Sequence, residues 1–205
     1  MKTNGPWTIR ASRTAYENPW ITVQHDEVTR PDGSPGTYGV VRFANVAVGV
    51  LPLFGDGTTV LVGQHRYPFG AYSWELPEGG APHAEDPADA ARRELAEETG
   101  LVAAGLAEIG RAHLSNSVTD ERSVMFVAWD LTEGVATPDA DEVLETRRVP
   151  LGEVVDACLS GAITDAFTHQ IVLTALARAQ RGAQQGLLPD RPRALILAAT
   201  NGGAP

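Results

Sequence analysis

Cysteine is almost absent: Cys158 is the only one in 205 residues. A single cysteine excludes an internal disulfide and a cysteine-rich zinc site, and it reads as a small buried apolar side chain. Positive charge is also scarce. Sixteen Lys+Arg face 26 Asp+Glu, for a net charge of −10, which argues against a general nucleic-acid binder, whose affinity comes from neutralising phosphates. An anionic small substrate is not excluded, because a bound divalent cation reverses the local sign. Lys2 is the only lysine, against 15 arginines, a ratio that reads as genome bias. Long hydrophobic runs are missing too. The longest, residues 46–54, contains Gly49 and Pro52 and falls far short of the roughly 20 residues of a membrane helix. No apolar run follows residues 1–6, so no signal peptide is expected, and the expectation is a soluble, cytoplasmic protein without a membrane or nucleic-acid partner.

What is present is ordinary globular material: 43% hydrophobic and 20% charged, enough for one domain with a sizeable core. The first third reads as strands, at residues 7–13, 20–28 and 38–43, with a Pro/Gly turn at 31–36. Residues 46–54 suit a central strand covered on both faces, and 55–57 a turn into a hairpin partner at 58–62. Residues 68–82, rich in Gly and Pro, are expected as a loop with a short strand at 73–76. Asp86-Pro87 opens a helix that Gly100 stops. Strands are expected at 106–112, 123–130 and 143–149, and helices at 151–159, 165–179 and 194–199. Residues 181–192 read as a linker, and 201–205 as a frayed end.

The richest stretch runs from residue 79 to 101. On a helix Glu94, Glu97 and Glu98 share one face, at i, i+3 and i+4. Between Glu75 and Glu98, eight acids stand against Arg92 and Arg93 alone. Such repulsion is relieved by solvation, by arginine pairing or by a cation. A carboxylate cluster beside a glycine-rich turn supplies the oxygen ligands that hard divalent ions prefer.

Gly79, Glu85, Arg93, Glu94, Leu95, Glu97, Glu98, Gly100 and Leu101 stand at the spacing of the Nudix box and fill each of its defined positions. The flanks, Gln64-His65-Arg66-Tyr67 and Trp74-Glu75-Leu76-Pro77-Glu78-Gly79, resemble the ADP-ribose and nucleotide-sugar pyrophosphatase branch of that family. Glu78 stands where that branch commonly has alanine. The resemblance implies an α/β class: a Nudix-like α/β/α sandwich with a mixed sheet and an N-terminal antiparallel β arm. It divides the chain into an arm at 1–43 that forms a homodimer, a hydrolase domain at 44–182 and a tail at 183–205.

The resemblance also implies roles. Glu94, Glu97, Glu98 and a backbone carbonyl at Glu78 or Gly79 would ligate Mg²⁺ or Mn²⁺. Glu85 and Arg93 would orient the glutamates, as groups behind metal ligands do. Arg66 would bind the diphosphate, which a guanidinium's planar donors suit. Glu75 would contact substrate or pair with an arginine. The loop at 115–121 resembles the segment whose glutamate activates water, making Glu121 the candidate base, with a box glutamate such as Glu94 as the alternative. The loop's usual Pro-Gly is replaced by Asn116-Ser117. Trp20 and Tyr38 are candidates for stacking on a base or for packing in a core or dimer. Thr164 is the expected cap of the last long helix. The expected substrate is a small nucleoside diphosphate sugar, split to a nucleoside monophosphate and a sugar phosphate. Rival readings are hydrolysis of a nucleoside triphosphate or dinucleotide, and a nucleotide-sensing module that binds without cleaving.

Overall fold

A computed structural model describes residues 2–137, 143–181 and 186–200. The N-terminal arm is a four-stranded antiparallel sheet of β1 (Lys2–Asn4), β2 (Trp7–Glu17), β3 (Ile21–Thr29) and β4 (Pro35–Phe43), in that order. The Pro/Gly turn closes β3 onto β4, pairing Thr29 with Pro35. Much of β2 is exposed, which marks an arm rather than a layer of the core.

The body holds two sheets. In the mixed one the order is β8 (Glu78–Pro82), β5 (Asn45–Leu53), β10 (Arg122–Glu133) and β9 (Leu101–His113). Strand β5 is central and runs parallel to β10. The second sheet pairs β11 (Glu145–Pro150), β6 (Thr58–Arg66) and β7 (Ala71–Glu75), all antiparallel. The expected hairpin of β5 and β6 is therefore corrected. The turn forms, with Phe54 N–H donating to the Thr58 carbonyl at 3.0 Å. The strands then part into different sheets, because both edges of β5 are taken by β8 and β10.

Among the described residues, four helices cover the body: α1 (Pro87–Thr99), α2 (Leu151–Ser160), α3 (Ala166–Arg181) and α4 (Asp190–Thr200). Strand alternation divides the interior into two cores. Val48 and Val50 of β5 and Val124 and Phe126 of β10 meet Ala90, Ala91 and Leu95 of α1. Leu51 and Leu53, with Met125 and Val127, meet Leu151, Phe167, Ile171, Leu195 and Ile196 of the other helices. The result is the expected α/β/α sandwich. Gly49 permits the close approach of α3: a Cβ there would lie 2.5 Å from Ile171 Cδ1.

Three local expectations change. Residues 78–82 pair with β5 rather than forming loop. Asp165, not Thr164, caps α3: its carboxylate accepts the Thr168 N–H at 2.6 Å. The segment read as a linker already turns helical at Asp190. Its residues 182–185, and the end at 201–205, lie outside the described residues.

Candidate active site

Helix α1 positions the acidic cluster. Asp86 accepts the Ala88 N–H at 2.8 Å, Pro87 opens the first turn, and Gly100 closes the last in the left-handed region, with φ 72°. Burying Ala90, Ala91 and Leu95 turns Glu94 and Glu98 towards the β8 side of the helix, while Glu97 pairs with Arg93. Glu98 is 3% exposed, and its Oε2 accepts the Glu78 N–H at 3.0 Å. Glu94 Oε1 accepts the Gly80 N–H at 3.1 Å. Glycine is required between them. A Cβ on Gly79 would sit 2.1 Å from Glu94 Cδ, so the carboxylate lies directly on the backbone of β8.

Arg93 is the hub. It donates to Glu85 at 3.0 and 3.2 Å, to Glu94 at 2.8 Å, to Glu97 at 2.9 Å and to the Gly80 carbonyl at 3.0 Å. These bonds hold Glu85 below the usual carboxylate range and raise Arg93. Burial pushes Glu94 up, and Arg93 partly offsets it. Arginine pairing therefore relieves part of the repulsion along the helix.

A second group faces a cavity of about 650 Å³ whose polar lining includes Arg66, Glu75, Glu78, Gly79, Glu121 and Asp165. Arg66 Nε lies 3.0 Å from both Glu75 oxygens, and its Nη2 reaches Glu75 and, at 2.8 Å, Glu78 Oε1. Burial alone would lower Arg66; Glu75 outweighs it and holds the guanidinium charged. Its Nη1 has no hydrogen-bond partner among the described residues. Glu78 is pushed well up by burial and by the charges of Asp165 and Glu75, against the pull of Arg66. Glu78 Oε2 is buried without a partner among the described residues.

Glu121 lines the same cavity, at the end of the loop before β10. Burial raises its pKa. The adjacent Asp120 points elsewhere. It pairs with Arg42 at 3.2 Å and accepts the Phe43 N–H at 3.0 Å, tying the loop to β4. Val41 adds two backbone bonds to this loop, and Tyr38 Oη donates to the Ser117 carbonyl at 2.7 Å. Tyr38 also stacks edge-on against Trp7, while Trp20 is 65% exposed at the β2–β3 turn.

The sequence-predicted residues thus form two adjoining groups. Glu85, Arg93, Glu94 and Glu97 belong to the helix network. Arg66, Glu75 and Glu121 line the cavity, and Glu98 and Gly79 link the two through β8. Sequence reasoning missed Asp165; its only signal was a position before a helical stripe. Among the described residues no three acidic, histidine or cysteine side chains are gathered around one point. The donor chemistry nevertheless fits a hard divalent ion. Every candidate is a carboxylate or carbonyl oxygen, and the partnerless Glu78 oxygen is an uncompensated acceptor in the adjoining cavity.

Comparison with known proteins places the chain in a class. Residues 44–168 match the NUDIX domain, and residues 7–41 match the nucleoside diphosphate sugar hydrolase N-terminal domain. The chain belongs to the Nudix hydrolase family. It is 30% identical over 160 residues to an ADP-ribose pyrophosphatase of Bacillus subtilis (strain 168), covering 77% of this chain and 86% of that protein. It is 29% identical over 192 residues to an ADP-ribose pyrophosphatase of Mycobacterium tuberculosis (strain ATCC 25618 / H37Rv), covering 90% and 92%. The crystal structure of an ADP compounds hydrolase superposes with a TM-score of 0.78 at 22% identity, covering 92% of this chain and 100% of that one, a likeness of fold. Nudix hydrolases generally use divalent metal ions.

Proposed function

We propose that this enzyme hydrolyses the diphosphate bond of a nucleoside diphosphate sugar, with ADP-ribose the first candidate, to a nucleoside monophosphate and a sugar phosphate. The observation that carries the reading is the junction at β8. The helix carboxylates, held by Arg93, meet there a cavity that contains both a charged arginine and a buried acid. The two relatives named as ADP-ribose pyrophosphatases support the choice of substrate class.

Each side chain then has a task. Glu94, Glu97, Glu98 and the Gly79 carbonyl would hold Mg²⁺ or Mn²⁺, which when bound offsets the charge of the diphosphate and makes water more acidic. Arg66, fixed on one edge by Glu75 and Glu78, offers Nη1 to a phosphate oxygen. Glu121 takes a proton from the attacking water; burial sets its pKa above that of an exposed glutamate, towards the range a general base needs. Arg93 and Glu85 keep the helix glutamates in place. Asp120, bound to the arm, keeps Glu121 at the cavity. Most of the rate enhancement would come from positioning and electrostatics. A homodimer through the arm completes the proposal, supported by the exposed Tyr16 and Trp20 and by the largely exposed strand β2.

A panel of ADP-ribose, ADP-glucose, GDP-mannose, a dinucleotide and a nucleoside triphosphate with Mg²⁺ tests the reading. Preferential release of a monophosphate from one nucleotide sugar supports it. Turnover confined to the triphosphate or dinucleotide overturns the substrate class.

A further inference from the structure

A second cavity, of about 390 Å³, lies between the arm and the loop before β10. It shares no lining residue with the cavity at Arg66. Strand alternation builds its floor. Asp26 and Val28 of β3 fall on one face. Asp26 stands directly opposite Tyr38 of β4, and Val28 opposite Ile9 of β2. Asn116, Ser117 and Thr119 of the loop close the other side. Tyr38 joins the two sides, donating to the Ser117 carbonyl at 2.7 Å.

Asp26 stands out on this floor. It is 6% exposed, and its Oδ1 has no hydrogen-bond partner among the described residues. Its neighbours in the lining, Ile9, Val28 and Val40, are apolar. A carboxylate buried without a partner is costly. Two cationic side chains border the cavity. Arg42 is committed to Asp120 at 3.2 Å, and Lys2 lies on the exposed strand β1. Among the described residues neither pairs with Asp26. An ionised carboxylate only accepts hydrogen bonds, so it calls for an N–H or O–H donor, and a charged donor binds it about twice as strongly.

The same cavity offers aromatic walls. Trp7 and Tyr38 both line it, with their rings at 86° and their centroids 5.4 Å apart. Such ring faces attract cations, and tryptophan does so best. The apolar floor suits a short hydrocarbon stem. An anion would instead meet the Asp26 charge.

We propose that this cavity binds a small organic cation, a primary ammonium or guanidinium on a short apolar stem, with its N–H groups on Asp26 and its charge beside Trp7 and Tyr38. The site does not depend on the function proposed for the cavity at Arg66.

Butylammonium and butan-1-ol are the probes, alike in shape and different in charge. NMR titration of the full chain follows the Trp7 indole N–H, identified by its loss in Trp7→Phe. Butylammonium should bind about tenfold or more tighter than the alcohol. Asp26→Asn should remove that preference. Glu27→Gln, the neighbouring acid on the opposite face of β3, should leave it within twofold. Lys2→Ala should keep or raise the affinity, since it removes a like charge from the rim. Asp26→Asn should not lower the melting temperature, because no partner is lost. Equal binding of the two probes overturns the proposal, as does a preference that survives Asp26→Asn. A clear fall in the melting temperature of Asp26→Asn also overturns it, by giving the carboxylate a partner within the chain. So does butylammonium binding that splits a dimer in light scattering, which would assign the cavity to a side chain of a second copy.

Discussion

Glu121 and Asp120 are neighbours with opposite fates. Asp120 is spent on Arg42 and the Phe43 N–H, and its pKa, raised by burial alone, is brought below the usual value by those bonds. Glu121 faces the cavity, and burial raises its pKa. A general base works only when deprotonated. Rate should therefore fall as pH drops through that raised value, with an acidic limb above the usual glutamate range. A pH profile of kcat checks this: Glu121→Gln should lose the limb together with most of the turnover. An unchanged limb would move the role to another carboxylate. The motif alone left Glu121 and a box glutamate as alternatives. Spacing along a chain does not report which carboxylate reaches a cavity, and the loop's altered Asn116-Ser117 removed the usual guide.

At the level of elements, helix α1 was legible and strand β8 was not. The helix carries its own start, stop and periodicity. Strand β8 is Glu-Gly-Gly-Ala-Pro, a composition that argues against a strand. It exists because β5 offers an edge and because Glu94 needs bare backbone beneath it. Both are tertiary facts. Gly79→Ala should therefore cost about 1–3 kcal/mol, as overpacking does, and should lower activity by displacing Glu94. Gly55→Ala, where a Cβ meets nothing within 4 Å, should be near neutral. Denaturant melts of the two variants make the comparison, and equal stabilities would remove the packing argument. Arg93→Ala belongs to the same element. Freed of their common partner, Glu85, Glu94 and Glu97 should lose alignment, and activity should fall about 10–100-fold, measured as kcat/KM with Mg²⁺ saturating. The parting of β5 and β6 into two sheets was illegible for a similar reason: the turn residues specify the turn and not the partners of the strands it joins.

For the whole molecule, the arm and the loop before β10 form one connected unit. Val41, Arg42 and Tyr38 of β4 all bond to residues 117–120. Anything that orders the arm therefore also orders the loop that carries Glu121. Under the proposed homodimer, a second copy of the chain is the ordering partner, seated on the arm's exposed aromatics. Light scattering should return twice the 21.7 kDa of one chain. Trp20→Ser should shift the mass towards the monomer and lower kcat. A wild type that is monomeric at micromolar concentration would contradict the dimer. Among the described residues no helix is long and apolar enough to cross a membrane, in keeping with the short apolar runs of the sequence.

The most direct test of the central claim is hydrolysis of ADP-ribose with Mg²⁺, comparing wild type with Glu98→Gln. Glu98 sits where the helix network meets the cavity, and the change keeps its size while removing its charge. The account predicts AMP release by the wild type, abolished by chelation, and a kcat lower by on the order of 100-fold or more in the variant, with an unchanged circular dichroism spectrum. Near wild-type turnover by Glu98→Gln, or turnover indifferent to chelation, would contradict it.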